Sequence, residues 1–84
     1  MNQDSNCNYK TINTALAACL RTQGFQLLDV EISNSHSPAV FIFEKDKLIY
    51  QTEYLWQTGK AEGNLCDFFE SYRLCLRMVK VGKL

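Results

Sequence analysis

The chain has 84 residues, enough for one domain with one small core and too few for two. Nine basic and nine acidic residues cancel, so nucleic acid or an anionic membrane would be drawn only by local clusters of charge. No apolar run approaches the length of a membrane span and no basic segment leads into a shorter one; neither a transmembrane helix nor a signal peptide is expected, and the cytoplasm is the expected location.

The first eight residues are polar and aperiodic, which predicts a flexible tail over 1–8 followed by a single domain over 9–84. "YKTI" (9–12) reads as a short strand. Asn13 suits a helix N-cap, and "TALAACLRTQ" follows with Leu16, Cys19 and Leu20 on one face. Ala15, Ala17 and Ala18 favour helix and let a neighbour approach closely. Arg21 complements the dipole in the last turn, and Gly24 is placed to end the helix.

"FQLLDVEIS" alternates, which predicts a half-buried strand with Leu28, Val30 and Ile32 inward and Asp29 and Glu31 outward. "NSHSP" is a turn, and "AVFIF" is a strand apolar on both faces. The two strands form a hairpin, which is marginal alone and needs a helix across one face and a third strand, from "YKTI" or from a second copy. An open "AVFIF" edge would invite such a copy.

"DKLIYQTEYLWQ" reads as a helix, with Leu48, Ile49, Thr52, Leu55 and Trp56 on one side and Tyr50 and Tyr54 on the other. "TGKAEG" breaks the chain, and Asn64 caps the last helix with Asp67 three positions on. Leu65, Phe68, Phe69, Tyr72, Cys75, Leu76 and Val79 form a broad apolar face that predicts the main ceiling of the core. The expected class is α+β, a small antiparallel hairpin or three-stranded sheet packed against helices, in the order (β)αββαα.

These features resemble a family of small bacterial and phage proteins of unknown function, domain of unknown function 5659. The resemblance rests on Thr11 and Asn13 at a helix start, Leu16 to Leu20 and then Gly24 and Phe25 at its end, Phe41 and Phe43 in a strand, and the aromatic last helix from Phe68 to Arg77. It spans roughly residues 9 to 80. The family usually has Asp where Asn13 stands, and either residue caps a helix. The resemblance implies the architecture and implies no activity.

Chemistry is sparse. The gaps between Cys7, Cys19, Cys66 and Cys75 fit neither a C-x-x-C pair nor a zinc pattern, so a disulfide or metal framework is not expected. His36, flanked by Ser35 and Ser37, has no evident orienting carboxylate, and reads as an exposed turn residue rather than a catalytic base. Asp29, Glu31, Glu44 and Asp46 cluster near the hairpin, where they could hold a hard cation, but carboxylates commonly mark the wet side of strands. No enzyme, cofactor or metal site is expected.

Two surface readings remain, both on the last helix. Leu74, Met78 and Val81, with Arg77 beside them, recur at helical spacing opposite the expected core face, which predicts a contact with a protein partner or a second copy. Arg73, Arg77 and Lys80 form a basic row that, with Tyr50 and Tyr54 as stacking platforms, would suit weak nucleic-acid binding. Against the second reading, Glu70 is placed to pair with Arg73, and basic stems commonly cover the rim of an apolar face. The leading expectation is a non-catalytic interaction or regulatory module, with nucleic-acid binding as the alternative.

Overall fold

The computed structural model of the chain describes residues 8–32 and 38–81, with Val81 described at its backbone only. The turn around His36 lies outside the described residues, as do Cys7 and most of the expected tail. Six elements follow one another: β1 (Asn8–Thr11), α1 (Thr14–Thr22), β2 (Leu27–Glu31), β3 (Val40–Glu44), α2 (Lys47–Gln57) and α3 (Leu65–Val81). The fold is α+β, with a three-stranded antiparallel sheet and the order βαββαα.

The sheet order is β1-β3-β2. Tyr9 pairs with Phe43 and Thr11 with Phe41 on one side of β3; Leu27 pairs with Phe43 and Val30 with Phe41 on the other. "AVFIF" therefore supplies the central strand, not an edge. The third strand comes from this chain's own N-terminal segment, so β3 offers no ladder to a second copy. Phe41 and Phe43 are fully buried, each stabilising the fold by about 1.5–3 kcal/mol through the burial of its ring.

Alternation in β2 is interrupted. The register shifts between Leu27 and Asp29, so that Leu28 is the extra residue of a bulge. The Asp29 carboxylate accepts the Val30 N–H at 2.8 Å at this bend. Leu27 and Val30 are buried, while Leu28 and Ile32 are about 40% exposed. The strict alternation that placed Leu28, Val30 and Ile32 on one face thus fails at one inserted residue.

The helices begin and end where their cap chemistry requires. Thr11 Oγ1 accepts the Asn13 N–H at 3.1 Å, and Asn13 Oδ1 accepts the Leu16 N–H at 3.0 Å. α1 closes with the Phe25 N–H donating to the Leu20 carbonyl and the Gly24 N–H donating to that of Arg21. Gly24 has a φ of 98°, a left-handed conformation that glycine adopts without strain. α2 repeats the device: Asp46 Oδ1 caps Leu48 at 2.8 Å, Lys60 donates to Leu55, and Gly59 has a φ of 75°. Asn64 Oδ1 accepts the Asp67 N–H at 3.0 Å at the start of α3.

One core joins the layers, running from Tyr9, Phe41 and Phe43 in the sheet through Leu16, Ala17 and Leu20 in α1 to Ile49, Cys75 and Met78. In α2 only Ile49 is fully enclosed; Leu48, expected beside it, is 58% exposed because the helix sits at the margin of the core.

Candidate functional site

α3 is the longest helix, and it turns a different side inward from the one its bulk suggests. Ser71, Cys75 and Met78 are its buried residues, at i, i+4 and i+7. At 100° per residue this line lies roughly a quarter turn from the centre of the broad apolar face. The reason is size. α3 packs alongside α1, where Ala17 and Ala18 are fully buried, and small residues on both helices permit close approach.

The roll overturns one expectation directly. Met78 belongs to the core, and Leu74 packs partly buried against it; they are not an exposed contact row. The side chain of Val81 lies outside the described residues. Among the described side chains of that set, Arg77 stands exposed.

The same roll carries other apolar residues outward. Leu65 is 82% exposed, Phe69 58% and Leu76 46%. Tyr72 and Val79 are half-buried between them. Positions 65, 69, 72, 76 and 79 follow i, i+4, i+7, i+11 and i+14, a continuous stripe along the helix. Large apolar residues exposed in a row mark interaction surfaces far better than single ones do. The spacing is present in the sequence, where its bulk reads as a core face. The signal that separates the two faces is the small pair Ser71 and Cys75.

Beside the stripe runs the basic row. Arg73, Arg77 and Lys80 line one shallow groove together with Leu76 and Val79. The Arg73 guanidinium lies over the Phe69 ring, 6.0 Å from its centroid, at cation–π distance. Tyr50 and Tyr54 do not line this groove. Both are exposed on α2, and Tyr50 stands edge-on to Tyr9 of β1 with ring centroids 5.6 Å apart.

At its N-terminal end α3 meets α2. Trp56, Phe68 and Tyr72 form a ladder of stacked rings, 6.1 Å from each centroid to the next. A cleft of about 210 Å³ opens here, between this ladder and the end of α1. On the far side Tyr9 is enclosed, and its hydroxyl is hydrogen-bonded to Glu53. Burial, then that bond and the Glu53 charge, push the phenol well above its ordinary range.

Two of the four carboxylates near the hairpin have structural partners: Asp29 braces the bulge and Asp46 caps α2. Among the described residues no three His, Cys, Asp or Glu side chains converge as a metal site. Cys19, Cys66 and Cys75 are free thiols; burial raises the pKa of Cys19 and Cys75, which keeps both protonated and unreactive. No helix among the described residues is long and apolar enough to cross a membrane.

Fold and surface together define a small α+β domain whose longest helix presents an uncovered apolar stripe edged by cations. The chain belongs to the family described as domain of unknown function DUF5659, which it matches over residues 6–73, from β1 to the middle of α3. Arg77 and Lys80 fall beyond the matched segment. No curated protein and no solved structure matches the chain.

Proposed function

We propose that this protein is a non-catalytic interaction module that pairs with a second copy of itself through the outer face of α3. The observation that carries the reading is the stripe of Leu65, Phe69 and Leu76, large apolar residues exposed along one helix. The stripe is self-complementary: an antiparallel copy, with the two-fold axis near Tyr72, lays each stripe on the other and opposes the two helix dipoles. Asp67 and Glu70 lie on the opposite side of α3, so the pairing rests on the apolar residues. Leu65 then faces Val79 of the second copy, and Phe69 faces Leu76. A contact of one helix on one helix is at the small end of interface sizes, so association in the micromolar range is expected.

Sedimentation equilibrium over a range of concentrations tests this reading. A monomer–dimer equilibrium that Phe69→Glu or Leu76→Glu shifts at least tenfold toward monomer, with the circular dichroism spectrum unchanged, supports it. A chain that stays monomeric at millimolar concentration overturns it.

The convergence of Arg73, Arg77 and Lys80 on one groove favours a second reading, weak nucleic-acid binding. Tyr50 and Tyr54 lie outside that groove, so stacking adds little there. Labelled single- and double-stranded oligonucleotides, titrated at low and moderate salt, separate the readings. Binding that falls steeply with salt and vanishes in Arg73→Glu/Arg77→Glu/Lys80→Glu supports the second; no binding at low salt removes it.

A further inference from the structure

We infer that the cleft between the ends of α1 and α2 and the start of α3 is a binding site for one uncharged aromatic ring. Its walls are apolar: the Trp56 and Phe68 rings, with Cys19, Ala61 and Leu65 around them. The Trp56 and Phe68 rings are stacked on one another, their planes inclined by 29°, and both line the cleft, so an aromatic guest would extend an existing aromatic stack. The Cys19 thiol is held neutral by burial.

The polar groups at the rim are already engaged. Thr22 Oγ1 donates to the Ala18 carbonyl at 2.9 Å, and Gln23 Nε2 donates to the Glu62 carbonyl. A strongly polar guest therefore finds few side-chain donors to replace the water it loses, the second Gln23 N–H and the Trp56 indole N–H. Glu62 is the one charged residue in the lining, and no cation joins it, so an anionic guest gains no partner. Size narrows the class further. A cavity of roughly 150 Å³ lined by aliphatic and aromatic side chains takes benzene, and drug-sized ligands need about 300 Å³ or more. At about 210 Å³ this cleft takes one substituted ring.

The cleft is preformed. The α2 cap at Gly59 and the Gln23–Glu62 hydrogen bond fix both ends of the 58–64 segment. That segment lies against α1 at Gly63, where even a Cβ would make only ordinary contact, 3.4 Å from Gln23 Nε2. Such a ring arrives as a free small molecule or as the side chain of a peptide, and the two sources share this recognition.

Trp56 is the only tryptophan in the chain, so its fluorescence reports the cleft alone. Excited at 295 nm, it is titrated with toluene and, separately, with N-acetyl-phenylalaninamide; amide chemical shifts are mapped with each probe. The expected result is a saturable change in Trp56 emission, with shifts centred on residues 19–23 and 61–65. Ala61→Phe, which fills the cleft with a ring of its own, should weaken binding at least tenfold. Binding of toluene alone assigns the site to free small molecules; equal or tighter binding of the amide assigns it to peptide side chains. Unsaturable changes up to the solubility of both probes, or shifts centred elsewhere, overturn the inference. The shift map decides the question even if Ala61→Phe fails to fold; because Leu65 belongs both to the cleft and to the outer stripe, each titration is repeated on Phe69→Glu, and binding retained there separates the ring site from self-pairing.

Discussion

On one side of α3, Cys75 and Met78 are enclosed with Ser71 between elements of the core; about a third of a turn or more away, Leu65, Phe69 and Leu76 are exposed. The outer residues are the larger and more hydrophobic set, yet they are the ones left out. Composition alone does not choose the buried side of a helix. Fit to the neighbour does, and α1 presents the small, fully buried Ala17 and Ala18. Bulk set aside in this way stays available for contact with another molecule, at a cost in solubility that the flanking Arg73, Arg77 and Lys80 offset.

Substitutions on the two sides should separate stability from association. Met78→Asp puts an unpaired carboxylate into the core and should cost about 4 kcal/mol or more, enough to unfold most of a domain this small; thermal melts and amide dispersion would show it. Phe43→Ala, in the central strand, should cost about 3–5 kcal/mol in a urea titration. Gly24→Ala forces a side chain into a left-handed conformation and should lower stability by about 1 kcal/mol. Phe69→Glu, on the outer side, should change stability by no more than about 0.5 kcal/mol while weakening self-pairing at least tenfold. A Phe69→Glu variant that unfolds would break the comparison, since the stripe would then belong to the core.

A further test uses pH. The folded-state pKa of Tyr9 is raised from its ordinary 10.0, chiefly by burial and then by the Glu53 contact. Its stabilising contribution is complete below pH 10 and is lost as the pH climbs from there toward the folded-state pKa, because only the unfolded chain releases the proton in that window. Tyr9→Phe should flatten the alkaline fall in melting temperature and, by removing the Glu53 hydrogen bond, cost about 1 kcal/mol at neutral pH.

Much of the fold was legible because local chemistry announced it. Asn13, Asn64 and Gly24 act at the helix ends as their types imply, and the paired strands follow from runs that have no helical period. What escaped was set by neighbours far away in sequence. The bulge at Leu28 exists because Leu27 and Asp29 pair with the consecutive residues Phe43 and Ile42, and no count of alternating residues contains it. The roll of α3 depends on the shape of α1. The candidate surface was legible as a helix and as a basic row, but its apolar part was assigned to the wrong side, because an arc of apolar residues wider than the core can take does not say which part the core accepts. The aromatic cleft was invisible for the same reason: Cys19, Trp56 and Phe68 come from three helices.

The strand order has a consequence for how the chain assembles. Among the described residues β1 comes first, yet its strand partner, β3, follows both α1 and β2. During synthesis the first four elements must all have emerged before the sheet can close, so the early chain holds an unpaired strand in waiting. The β2–β3 hairpin, once made, exposes a bare edge until Asn8–Thr11 docks on it. That moment is the chain's greatest exposure to misassembly, because the corresponding strand of a neighbouring nascent chain fits the same edge equally well.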